Sequence, residues 1–369
     1  MNKKLLTIAV LPFVKAQVLK SLLENEGIEC ILEDVNLLEG TSSLAVRVQI
    51  LEEDLERAFP VLEEYLGKPG EKPLPGAEPE RQILVPVDFS DYSVKAAKVA
   101  FDIALQLEAK MVLFHAYPNP IVYSVPFSDV YAFDSGLTLH LETAEKNAQT
   151  NMETFLRKLV THFGKETWNK VETEYIIKAG DARDDILSYA HKNRVMLIVM
   201  GTQGKAGSEY DIIGSVTAEI ITSARLPVLV IPPDTPEDIA QKFSKILYCT
   251  NFDEKDFIAI EKLMRIIRPY KAEVSCLHVS RNEEPVWDLA RLEGMKDILR
   301  KKYEDKTFQC QLVVGEDVLN EIDKYITAHH VDVIALTTHK RSMFARMFNP
   351  SIARKMLFHS NVPLLVFHA

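Results

Sequence analysis

The chain lacks any run of roughly 18 consecutive apolar residues, so no bilayer-spanning helix is expected. It is poor in cysteine. The four it has, Cys30, Cys249, Cys276 and Cys310, form no C-x-x-C pair, which removes the common zinc and redox spacings and points to a reducing cytoplasm. An excess of positive charge is also missing. Forty-three Lys and Arg stand against 53 Asp and Glu, a formal net charge of −10 that argues against a nucleic-acid footprint. Familiar catalytic signatures are absent as well: there is no G-x-S-x-G elbow, no H-E-x-x-H, no P-loop and no His–carboxylate pair at a telling spacing.

What is there describes globular protein. With 47% hydrophobic and 26% charged residues over 369 positions, the chain has material for two or three domains of about 150 residues each. The start, MNKK followed by LLTIAVLPFV, imitates a signal peptide, but no small-x-small cleavage site follows. Instead VKAQVLKSLLENEG reads as an amphipathic helix closed by Gly27.

The central stretch is Leu197 to Ile231, which reads as strand, glycine loop, helix and strand without interruption. LIVM is apolar throughout, as a strand buried on both faces of a parallel sheet should be, and it ends at Gly201. Gly204 and Gly214 bracket a polar loop, Ser215 occupies the predicted N-cap ahead of the run Val216 to Ala224, and Pro227 stops the helix before VLVI. Glycines let backbone N–H groups approach an anion, and a helix start favours negative charge, so a phosphate suits this loop; turn glycines are the plainer alternative. The spacing G-x2-G-x9-G-S, with VMG before it and SVT after it, resembles the nucleotide-binding signature of the universal stress protein family.

Upstream, residues 1–66 give strand, helix, strand, strand, helix, a βαββα order similar to a small bacterial signal-transducing domain with a ferredoxin-like or ACT-like α+β sandwich. A ligand-sensing module and a packing or dimerisation appendage both fit it. GKPGEKPLPGAEPE makes 67–80 a linker. QILVPVDFSDYS opens the next domain, 81–235, as a strand leading to Asp88 and a helix from about Ser93 to Leu107. Asp88 either faces a ligand or caps that helix, with Ser90 and Asp91 as rival caps. His115 closes the strand KMVLFHAY and reads as a packed core histidine. The aromatic-rich stretch Pro118 to Gly136 is either a lid or a surface clasp, and a long helix is expected over Leu139 to Phe163.

The pattern then repeats over 242–369. KILYCTNF places Asn251 under Asp88, His278 falls under His115 at the same offset, and LTTHKRSMFARMFNPSIARKML lies under the signature. Thr337, Lys340 and Pro350 replace Gly201, Gly204 and Gly214, while Ser351 matches Ser215. Proline removes a donor N–H and side chains fill the loop, so this copy is expected to have lost the cradle. Lys340, Arg341, Arg346, Arg354 and Lys355 make it basic, a solvated face or a new anion site.

The resemblance implies an α/β protein: two Rossmann-like domains with parallel five-stranded sheets in the order 3-2-1-4-5, behind the small α+β domain. It further implies a cytoplasmic regulatory protein binding one adenine nucleotide, ATP, in the first repeat, with slow ATP hydrolysis as the alternative. The implied contacts are Asp88, Ala116 and Gly201 around base and ribose, Gly204, Gly214, Ser215 and Thr217 at the phosphates, and Pro86, Val87, Met200 and Val216 elsewhere along the nucleotide. Mg²⁺ would come with the triphosphate, without a dedicated ligand cluster. An intramolecular pseudo-dimer is expected through the final strands PVLVI and PLLVF, because apolar edge strands need cover. No nucleic-acid or membrane partner is expected, and any protein partner is left unidentified.

Overall fold

The structure, a computed structural model, describes residues 5–12, 19–20, 22–24, 26–34, 45–51, 54, 57–58, 61, 81–118, 135–202, 213–241, 243–252, 254–338 and 362–368. The chain divides into two compact units, Met1–Pro79 and Glu80–Ala369.

In the first unit β1 (Leu5–Pro12), β2 (Cys30–Asp34) and β3 (Ala45–Leu51) form an antiparallel sheet in the order β1-β3-β2. Alternation in AVRVQIL turns Val48 and Ile50 inward, where they meet Leu19 and Leu23 of the first helical stretch, Ile28, Cys30 and Ala58. Gly27, at φ +69°, supplies the left-handed turn that ends the first helical stretch and sends Ile28 N–H back to the Leu23 carbonyl. The Arg57 guanidinium then donates to the Glu26 carbonyl at 2.8 Å, which fixes the second helical stretch against that turn.

The second unit is built on one ten-stranded sheet. Its first repeat comprises β4 (Gln82–Pro86), α1 (Asp91–Leu107), β5 (Lys110–Tyr117), α2 (Ser135–Phe163), α3 (Lys165–Trp168), β6 (Thr173–Ala179), α4 (Ala182–Lys192), β7 (Val195–Gly201), α5 (Ser215–Ser223) and β8 (Val228–Ile231). The second comprises β9 (Lys245–Cys249), α6 (Glu254–Ile266), β10 (Glu273–Ser280), α7 (Val286–Lys302), β11 (Thr307–Val314), α8 (Val318–His329), β12 (Val333–Thr338) and β13 (Leu364–His368). Strand order is β11-β10-β9-β12-β13-β8-β7-β4-β5-β6, which is 3-2-1-4-5 twice over, read inward from each end.

Pairing within each repeat is parallel, and the repeats join where β13 and β8 pair antiparallel, Leu364 with Val230, Leu365 with Leu229 and Val366 with Val228. Both faces are covered by helices, so the central strands are apolar throughout. Leu229, Ile231, Leu365 and Phe367 fill one layer, while Val228, Val230, Leu364 and Val366 fill the other. The connection between repeats is docked on α1. Lys98 pairs with Glu237 at 2.9 Å, Lys95 donates to the Pro233 carbonyl, and Gln241 donates to Asp102 at 3.3 Å.

Candidate functional site

Where β4 sits between β5 and β7, the chain leaves the sheet in opposite directions, and the carboxyl ends of the strands open a crevice. β5 pairs Phe114 with Pro86, so the register carried forward sets His115 level with Val87 and Ala116 level with Asp88. On the other side Ile198 pairs with Leu84, which sets Met200 level with Pro86 and Gly201 level with Val87. Pro86, Val87, Asp88, Ala116, Met200 and Gly201 therefore converge at one rim.

The turn out of β4 is tightly held. Val87 N–H donates to the Phe114 carbonyl at 2.9 Å, and the His115 Nδ1 lies 2.7 Å from the Val87 carbonyl; that acceptor makes Nδ1 the protonated nitrogen. Phe89 adopts a left-handed φ of +64°, and its ring lies 4.3 Å from the His115 ring. One oxygen of Asp88 accepts from Ser90 N–H at 3.1 Å and from the Ser90 hydroxyl at 2.6 Å. Ser90 in turn caps α1 by accepting from Ser93 N–H. Asp88 is thus a brace for the capping residue rather than the cap, and the helix starts at Asp91, one turn-fragment earlier than the expected Ser93. His115 has the packed role read from the sequence.

Gly201 ends β7 against α1. A Cβ placed there would lie 2.9 Å from Tyr92 Cβ and 3.0 Å from the Tyr92 carbonyl oxygen, so backbone would have to move to admit any side chain. From Gly201 the chain passes to Thr202, whose hydroxyl is buried and has no hydrogen-bond partner among the described residues. Gly214 N–H donates to the Thr202 carbonyl at 2.7 Å, and the Gly214 carbonyl accepts from Ala218, the first bond of α5. The N-cap is therefore Gly214 and not Ser215, which is the first helical residue. Among the described residues no side chain caps this helix, and no acidic residue occupies its first turn. α4 and α8, by contrast, are each capped by an aspartate, Asp181 and Asp317. Early N–H groups of α5 thus have no side-chain acceptor among the described residues, the condition in which a helix start holds an anion.

The Thr217 hydroxyl is engaged within the fold, which leaves its backbone N–H for the expected contact. The buried hydroxyl donates to the Gly201 carbonyl at 3.0 Å, which straps α5 to the end of β7 and commits that proton to the fold. Gly204 and the span 119–134 of the lid expectation lie outside the described residues. Thr202, Ser90 and Tyr92 shape this crevice although the glycine motif does not point to them. The signal for Thr202 was available, a hydroxyl directly after an apolar strand with no local turn to satisfy it.

At the matching place in the second repeat, side chains among the described residues form a buried hydrogen-bonded network. Phe252, at φ +61°, and His278 reproduce the turn of the first repeat, with rings 4.3 Å apart and His278 Nδ1 2.9 Å from the Thr250 carbonyl. Asp256 is buried there. Its carboxylate accepts from the Tyr248 hydroxyl at 2.9 Å, the Thr250 hydroxyl at 2.7 Å and Asn251 N–H at 3.1 Å. Because a carboxylate only accepts, Tyr248 donates to it, and Thr337, 2.7 Å away, must donate to Tyr248. Thr337 stands where the first repeat has Gly201. Burial, with Asp256 as the next cause, holds the Tyr248 phenol far above its ordinary range, so it stays protonated and the network stays closed. Lys340, Pro350 and Ser351 lie outside the described residues.

Among the described residues no cluster of His, Cys, Asp and Glu is arranged to hold a metal, and no helix is long and apolar enough to cross a membrane.

A doubly wound parallel sheet with a glycine-ended strand at its switch point, repeated and joined edge to edge, defines a two-domain Rossmann-like protein. The universal stress protein family model matches residues 80–232 and again 242–368, and the chain belongs to that family. The Universal stress protein MJ0531 of Methanocaldococcus jannaschii is 33% identical over 151 residues, 41% of this chain and 81% of its own. A Thermus aquaticus universal stress protein, from the QAH/OAS sulfhydrylase 3′ region, is 30% identical over 152 residues, 41% of this chain and 98% of its own. A universal stress protein crystal structure from Archaeoglobus fulgidus shares the fold over 78% of this chain and 96% of its own, with a TM-score of 0.53 at 16% identity. Residues 13–65 match a further family described as "Putative prokaryotic signal transducing protein".

Proposed function

We propose that the first repeat binds one adenine nucleotide, ATP with Mg²⁺ as its companion, and that the chain serves the cytoplasm as a regulatory universal stress protein. The observation carrying this reading is the contrast between the two switch points. In the first, a glycine ends β7, a buried Thr202 hydroxyl lacks a partner among the described residues, and α5 starts without a side-chain cap. In the second, Thr337, Tyr248 and Asp256 satisfy one another among the described residues.

Base and ribose fall to the rim formed by Pro86, Val87, Asp88, Ala116, Met200 and Gly201. Phosphates fall to Gly204, Gly214 and the N–H groups of Ser215, Val216 and Thr217, where charge and helix dipole agree. Titration calorimetry of the full chain with MgATP is expected to give one site per chain, and denaturing the purified protein is expected to release an adenylate. A stoichiometry of two would show that the Tyr248 network opens, and the absence of any binding would remove the nucleotide reading altogether.

A further inference from the structure

Cys276 and Cys310 lie directly opposite one another. β10 and β11 are parallel and in register at this pair, and both side chains point to the same face of the sheet, Cys276 beside Val274 and Cys310 beside Phe308. Cys276 is fully buried, Cys310 is partly buried, and β11 ends the order of the ten-stranded sheet. α7 covers the pair from above. Its Arg300 donates to the Phe308 carbonyl at 3.2 Å, and its Lys296 pairs with Glu293 at 2.9 Å.

We propose that Cys276 and Cys310 form a peroxide-responsive dithiol, in which a hydroperoxide oxidises Cys310 and Cys276 resolves it to a disulfide across β10 and β11. The Cys310 thiolate attacks one peroxide oxygen, the O–O bond breaks, and the leaving oxygen takes a proton as an alcohol or water. The sulfur, now a sulfenic acid, is attacked by Cys276, whose proton leaves with the expelled hydroxide as water. Two thiols and one hydroperoxide thus give one disulfide, one alcohol or water, and one further water.

Three properties separate this pair from the other cysteines. Neighbouring strands stand about 4.8 Å apart, within the Cα separation of about 4.4–6.8 Å that a disulfide accepts. Cys310 is only partly buried, so a thiol can reach the bond once formed and reduce it by exchange. A strand paired on one side only can shift to make it.

The charges also favour Cys310 as the attacking sulfur. The Cys276 thiol and then Lys296 and Arg300 draw the Cys310 thiol below its ordinary range, against burial and Glu293. Cys276 is raised by the Cys310 thiol, by burial, and by Asp256 and Cys249. Burial pushes Cys249 up to about 12 and raises Cys30, so neither offers a thiolate at neutral pH.

Reduced full-length protein is treated with hydrogen peroxide, its remaining thiols are alkylated, and its peptides are mapped by mass. The expected result is loss of two of the four thiols, a Cys276–Cys310 linked peptide, and return of both thiols with reduced glutathione. Cys310→Ser is expected to keep its three remaining thiols at the same dose, while Cys276→Ala stops at a Cys310 sulfenic acid that dimedone captures. Retention of all four thiols in the unsubstituted chain, prior oxidation at Cys30 or Cys249, or a disulfide that forms only between chains would each overturn the proposal. Mapping of the unsubstituted chain decides the question even where a variant fails to fold.

Discussion

Gly201 is required by its neighbour rather than by its own backbone. With Tyr92 backbone 3.0 Å from the position of a Cβ, Gly201→Ala must push the start of α1 away from β7. The expected cost is about 1–3 kcal/mol, as for other overpacked sites, together with loss of ATP affinity. Urea denaturation checks the first part and calorimetry the second; an alanine variant of unchanged stability would mean that Tyr92 gives way freely.

Asp102 supplies the pH dependence. Burial raises its carboxyl, against the Gln241 hydrogen bond and the charge of His162. The folded chain then holds a proton that the unfolded chain has already released above the ordinary value of 3.8, so stability is greatest below that value and declines as pH rises towards the folded value. Asp102→Asn is expected to raise the urea midpoint at pH 7 and to leave it unchanged at pH 3. Equal midpoints at both pH values would show that Asp102 is not penalised in the fold.

Among the elements, the strands were legible because a parallel sheet covered on both faces demands unbroken apolar runs, and LIVM, VLVI and PLLVF are such runs. Helix starts were less legible, since several residues at each start can cap. Ser90 and Gly214 won over Asp88 and Ser215 through bonds to Ser93 and to the Thr202 carbonyl that no local pattern announces. The buried carboxylate of Asp256 was invisible for the same reason. A tyrosine in the run KILYC signals that some partner must exist, without saying which.

The β8–β13 pair couples the repeats through strands that would otherwise be bare apolar edges. Leu365, buried opposite Leu229, is the place to test that coupling. Leu365→Lys is expected to cost several kcal/mol, because an ammonium there has no partner, and to split a single unfolding transition of this sheet into two. Calorimetric unfolding that remains a single transition would show that the repeats are joined mainly elsewhere, through the connection docked on α1.

Across the whole molecule, two separate cores imply two separate meltings. The unit Met1–Pro79 should absorb about 50 kcal/mol near 60 °C and the unit Glu80–Ala369 about 200 kcal/mol, on the usual enthalpy of about 0.7 kcal/mol per residue. Differential scanning calorimetry checks both areas, and a single cooperative peak would contradict independent cores.

The edge-to-edge sheet has a further consequence for heredity. When two copies of one chain meet about a twofold axis, every substitution appears on both sides, so neither side can change its task alone. Here the mates are encoded in tandem and the axis is only approximate. Tyr248, Asp256 and Thr337 can accumulate in one half while Gly201 persists in the other, and two neighbours of common ancestry become free to divide their labour.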